Sequence, residues 1–185
     1  MNSYRLPACR PGTGALAARP PDLIEDLITG AVLDIGKAEH DAFWAWAIIE
    51  VLRHTGIRVE ELLEITHLGL VAYTLPATGE VVPMLQIVPS KSNEERLLLV
   101  SPELASVLAS IISPLRAHHR GTVPLTARYD SHENVTGPPL PHLFQHRNGW
   151  TWKTFSYATV QRFLCDTLVR AGLTNAAGQR LRYTA

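Results

Sequence analysis

The chain has 185 residues, 46% of them hydrophobic and 18% charged, which suits one folded domain and excludes a disordered chain. Its apolar runs fall well short of the ~18 uninterrupted residues of a membrane span, and the N-terminus lacks a charged-then-apolar leader, so the sequence reads as a cytoplasmic protein with no membrane partner. Cys9 and Cys165 lie far apart and neither has a Cys or His at metal-ligand spacing, which argues against a disulfide framework or a zinc module; no cofactor and no metal is expected.

Seventeen basic and 17 acidic residues cancel, so bulk charge says nothing about nucleic acid. Their distribution says more. Between Asp34 and Glu64 acids outnumber bases, whereas Arg147, Lys153, Arg162, Arg170, Arg180 and Arg182 face only Asp166 towards the C-terminus. Such asymmetry marks either a polyanion-facing surface or solvated helix faces.

Residues 1–22 contain Pro7, Pro11, Pro20 and Pro21 with Gly12 and Gly14, a composition that predicts a flexible tail or linker ahead of a single unit over 23–185. Leu23, Ile24, Leu27 and Ile28 predict a short helical face before Gly30. A stronger helix is expected from Glu39 to His54. Its Phe43, Trp44, Trp46, Ile48, Ile49, Val51 and Leu52 leave few polar positions, so it should be central and largely buried. Gly56 supplies the stop.

The next helix should start near Arg58, with Val59, Leu62, Leu63 and Ile65 inward. Extended runs follow at Leu70–Leu75, Val81–Val88 and Arg96–Val100, broken by Ala77-Thr78-Gly79 and by Ser92 to Glu95. They predict a small antiparallel sheet, with Pro83 and Pro89 at strand edges or ends. Ser101-Pro102-Glu103 has the chemistry of a helix start, and that helix should reach His118. A Pro/Gly-containing connection spans 121–141. A last helix is expected from Thr154, with Val160, Phe163, Leu164, Thr167, Leu168 and Ala171 at helical spacing and Gly172 closing it. The class is therefore mainly α with a small antiparallel β-sheet (α+β).

Two segments carry candidate chemistry. In His54-Thr55-Gly56-Ile57-Arg58-Val59-Glu60-Glu61-Leu62-Leu63 a buried helix ends at a glycine and an arginine opens the next helix. A guanidinium there holds phosphate oxygens in fixed geometry beside free helix-end amides, and Glu61 one turn away could fix its rotamer. The alternative at this spacing is a surface Arg–Glu pair worth roughly 0.3–0.5 kcal/mol. In Ile87-Val88-Pro89-Ser90-Lys91-Ser92-Asn93-Glu94-Glu95-Arg96, Lys91 sits at an expected hairpin tip, where it could reach into DNA and protonate a leaving oxygen. Hairpin turns also carry lysine for solubility.

Together these segments resemble the first arginine box and catalytic-lysine hairpin of the tyrosine-recombinase (phage-integrase) family. A looser likeness runs through Leu143-Phe144, the last helix, and Ala171-Gly172-Leu173-Thr174 to Leu181-Arg182-Tyr183. The resemblance implies a partial recombinase catalytic core with Arg58 and Lys91 as catalytic residues and Glu61 in support. It implies double-stranded DNA as partner, and self-association on DNA in the full-length protein. The family's reaction is metal-free strand cleavage and rejoining through a 3′-phosphotyrosine link.

The chain also departs from the family pattern. No His-x-x-Arg follows Lys91, because His118, His119, His142 and His146 all lack an arginine three residues on. His142 and His146 read as surface residues in a loop-like run. Tyr73, Tyr129, Tyr157 and Tyr183 read as structural, so the expectation is a chain cut off before the nucleophile and inactive by itself. Two other classes fit the same residues: a non-catalytic DNA-binding module, and a helical protein-interaction domain whose apolar patch invites self-association.

Overall fold

The computed structural model describes residues 22–88, 95–130, 134–181 and 183, with the backbone of Tyr4 and Arg5. Strands β1 (Tyr4–Arg5), β2 (Leu23–Asp26) and β3 (Val32–Asp34) form a small antiparallel sheet in that order. The expected helix over Leu23–Ile28 is therefore a strand and a turn. Asp26 decides this locally: its carboxylate accepts from the Ile28 N–H at 2.9 Å and the Thr29 hydroxyl at 2.8 Å, a side-chain-stabilised turn that competes with helix. So short a segment also lacks the length to sustain an isolated helix.

Asp34 then caps α1 (Ile35–Thr55) by accepting from the Lys37 N–H at 2.9 Å. Trp44, Ala45, Ala47, Ile48 and Val51 bury its inner face. The helix is central but not enclosed. Trp46 and Ile49 remain 42% and 38% exposed, lining an open apolar groove of about 440 Å3 with Ala42, Ala45 and Phe163.

Beyond α2 (Val59–Glu64) and a single 3-10 turn (His67–Gly69), strands β4 (Leu70–Thr74), β5 (Val81–Ile87) and β6 (Arg96–Leu99) form the expected antiparallel meander. Pro83 lies inside the central strand β5, opposite Ala72, and not at an edge. It is tolerated because its carbonyl accepts from Val100 N–H at 3.0 Å, past the last β5–β6 pair at Met84 and Leu99. A residue's N and O point the same way in a strand, so the missing donor faces the open end of β6. Pro89 lies outside the described residues.

Ser101 Oγ accepts from Leu104 N–H at 3.2 Å and caps α3 (Pro102–Ala117), whose Leu104, Val107, Leu108, Ile111 and Leu115 are buried. The connection after it contains a two-residue ladder of β7 (Tyr129–Asp130) and β8 (Val135–Thr136). It then runs back beside α2, with Leu143 N–H bonding Ile65 carbonyl at 2.9 Å. Next comes a hairpin, β9 (Gln145–Asn148) and β10 (Thr151–Thr154). The last helix, α4 (Tyr157–Arg170), accordingly starts at the Ser156 cap and not near Thr154. Val160, Phe163 and Leu164 dock α4 on α1, and one core joins all four helices to the β5 side of the meander. The chain is a mixed α+β fold, and no helix among the described residues is long and apolar enough to cross a membrane.

Candidate functional site

The junction of α1 and α2 is built by one glycine and one buried carboxylate. Gly56 takes φ 64°, and its N–H bonds Leu52 carbonyl at 2.9 Å to close α1. Ile57 is buried and turns the chain inward, leaving Arg58 extended at the head of α2 with φ −79° and ψ 159°. The following turn buries Val59, Glu61, Leu62 and Leu63.

Glu61 is 4% exposed and needs compensation, because an unpaired buried charge is strongly disfavoured. Its Oε2 accepts from the backbone N–H of Arg58 at 2.9 Å and from the Arg96 guanidinium at 2.7 Å. The carboxylate thus fixes Arg58 through its main chain, where a hold on the side chain was expected. It takes its charge partner from β6, 35 positions along the chain. This contact docks the β5–β6 pair, at the end next to its connection, against the start of α2. Sequence spacing missed it, since only a strand register places Arg96 opposite Ile87 at that end of the sheet.

Gly56, Arg58, Glu61 and Arg96 line a polar cleft of about 200 Å3. Arg96 is 45% exposed and Arg58 is exposed; among the described residues none hydrogen-bonds or ion-pairs with the Arg58 guanidinium. Two guanidinium groups beside one buried carboxylate make a cradle of net positive charge that opens to solvent. A guanidinium can donate two parallel hydrogen bonds to phosphate oxygens. Glu61 takes up one of the amides at the α2 start, that of Arg58. Lys91, the other expected site residue, lies outside the described residues.

The histidines correct the sequence reading. His142 is 2% exposed, beside the α2 end, where it forms a bridge with Thr66. Burial, with a smaller push from Arg128, lowers its pKa to about 4. His146 is half-buried and stacks on Phe155 at 4.8 Å with the rings 8° from parallel. His40 meets it edge-on at 6.5 Å, and burial lowers the pKa of both. Neither is a loop-surface residue: the chain run from Pro141 to Gln145 is threaded through the core, where Leu143, Phe144 and Gln145 are all buried. Among the described residues no group of three or more His, Cys, Asp or Glu could hold a metal ion. Tyr73 lies in β4, Tyr129 in β7 and Tyr157 at the start of α4, and both Tyr157 and Tyr183 pack half-buried against the core.

Comparison of the chain with family models, with curated proteins and with solved structures finds no match in any of the three.

Proposed function

We propose that this chain is a DNA-binding module of tyrosine-recombinase type, acting on double-stranded DNA in the cytoplasm. The observation that carries the reading is the cleft in which Arg58 and Arg96 flank the buried Glu61 carboxylate. The family likeness assigns Arg58 a phosphodiester oxygen and Lys91 the proton of a leaving hydroxyl. Glu61 orders both the Arg58 backbone and the Arg96 side chain. The strand-cleaving step needs a tyrosine nucleophile and a second arginine box, and this sequence offers no residues in that pattern. Loss of a covalent nucleophile costs on the order of 10⁶ in rate in a protease example, so no covalent protein–DNA adduct should form on a nicked duplex.

The test is a duplex gel-shift series across salt. Each phosphate neutralised contributes about 0.9 to the slope of log affinity against log salt. Arg58→Ala should weaken binding and flatten the slope by about 0.9, whatever the DNA sequence. A slope near zero for the unaltered protein, or an unchanged slope in Arg58→Ala, would reject the proposal. The exposed groove formed by Trp46, Ile49 and Phe163 favours a second reading, a protein-contact domain that self-associates. Under that reading Arg58→Ala leaves partner binding intact, and Trp46→Ser reduces the sedimentation coefficient to that of a monomer.

A further inference from the structure

The β9–β10 hairpin is the second feature of the molecule with the chemistry of a polyanion contact. Asn148 pairs with Thr151, so Gly149-Trp150 is a two-residue turn. Gly149 supplies φ 59° at its first position, as a II′ turn demands of a glycine. The turn holds Trp150 out at 79% exposure. Arg147 is bonded to it: its Nε donates to Gly149 carbonyl at 2.9 Å, and its guanidinium carbon lies 5.8 Å from the Trp150 ring centroid.

Cross-strand register sets the two faces of this ribbon. Arg147 pairs with Trp152 and Lys153 with His146, and neighbouring residues along a strand point to opposite sides. Arg147 and Lys153 therefore stand on opposite faces, with no carboxylate anywhere in 145–154. At the base, the His146–Phe155 stack and the bond from Phe155 N–H to Phe144 carbonyl at 3.0 Å clamp the ribbon to the core. The base of the ribbon belongs to the core, where Gln145 is buried and Trp152 packs, whereas its outer part carries an exposed cation on each face and an exposed aromatic tip.

We propose that this ribbon enters a groove of duplex DNA, with Arg147 and Lys153 on the phosphates of its two walls and Trp150 against the bases. The major groove is wide enough for a two-stranded ribbon. Gln145 is buried at the base, but Asn148 and Thr151 at the tip can bond base edges, and the indole gives apolar contact. A lipid surface fits less well: one tryptophan among polar side chains offers too little apolar area to insert. The proposal rests on the DNA reading above but adds a contact far from Arg58, because His40, which meets the ribbon, lies about 24 Å from Gly56 along α1 at about 1.5 Å per residue.

Titrating the protein with a fluorescein-labelled 20-base-pair duplex across salt concentrations tests it. Trp150→Ala should weaken binding about tenfold, within the range of a lost base-pair contact, without changing the salt slope, because the indole carries no charge. Arg147→Ala and Lys153→Ala should each flatten the slope by about 0.9. Trp150→Phe should keep most of the affinity and lose the DNA-induced quenching of intrinsic fluorescence. If Trp150→Ala binds like the unaltered protein while Arg58→Ala is weakened, the ribbon proposal fails and the DNA reading stands. If the unaltered protein shows no salt-dependent duplex binding, both fall. Tighter binding to the single strand, or to vesicles of anionic lipid, than to duplex also overturns the ribbon proposal.

Discussion

At the C-terminal end of α1 a carboxylate is buried against a guanidinium that reaches it from a distant strand; towards the N-terminal end, an exposed His40 and a half-buried His146 pack against aromatic rings. Glu61 has the Arg58 amide and Arg96 on one oxygen. His146 has Phe155 on its face and His40 at its edge, and its Nδ1, like that of His142, has no hydrogen-bond partner among the described residues. One end keeps a charge inside by pairing it. At the other end desolvation works against the charged imidazoles, so the packing favours neutral rings. The arginine end should therefore be insensitive to pH near neutrality and sensitive to substitution, and the ring end the reverse.

Acidification should act on the desolvated histidines first, at the ring end and at His142 beside the α2 end, and it is the largest effect expected. The folded pKa values of His40, His142 and His146 are all lowered, for His142 to about 4, so the unfolded chain binds protons at a higher pH than the folded one. Stability from these groups is complete above about pH 6.5 and falls as pH drops towards the folded values. Between pH 6.5 and 5, above the range where ordinary carboxylates titrate, His142 alone should cost about 1.5 kcal/mol, because its unfolded imidazole is only half protonated at pH 6.5. Charged groups near the rings are Lys37, Asp41, Arg162 and Lys153 around His40 and His146, and Arg128 near His142. Only Asp41 favours protonation. Urea unfolding at pH 7.0 and 5.0 reads the loss, and His142→Gln should flatten the difference even if it lowers stability at both. An equal difference in the two proteins would mean that His142 is not the titrating group.

The arginine end is broken by substitution, and its two arginines should separate. Arg96→Ala leaves the Glu61 carboxylate buried without its guanidinium, which should cost between about 1 and 2 kcal/mol, below the fully buried case because Arg96 is half-exposed. Arg58→Ala should leave the urea midpoint nearly unchanged, since Glu61 bonds its backbone and not its side chain. Equal destabilisation by the two variants would show that the Arg58 side chain also holds the fold.

The division between the two ends follows what a sequence can reveal. Local chemistry was legible: the Gly56 stop, the Ser101-Pro102 start and the three strands of the meander all depend on neighbours within a few positions. The closeness of Arg58 and Glu61 was legible because they share one turn. Arg96 was only the end of a motif, since its role depends on a strand register. The histidines were misplaced because a Pro/Gly-containing run looks like surface, whereas the bonds at Ile65 and His67 pull it into the core. The β9–β10 hairpin did carry a signal, a glycine leading the Gly149-Trp150 turn as a II′ turn favours, but the polar composition of its strands hid it.

The smallest effect sharpens the contrast, because it separates backbone from charge at the arginine end. Gly56 adopts φ 64°, a conformation that a residue with a Cβ takes at a cost, and nothing lies within 4 Å of where that Cβ would stand. Gly56→Ala should therefore destabilise the fold by about 1 kcal/mol through conformation alone, with Gly56→Asn intermediate. Gly56 also lines the cleft, so the same variant asks whether cleft shape or guanidinium charge governs DNA affinity. With the Cβ in open space and Arg58 and Arg96 untouched, the salt slope should match that of the unaltered protein while the urea midpoint falls. A variant that kept its midpoint and lost its slope would place the anion against the Gly56 backbone, and the side-chain cradle would have to be redrawn.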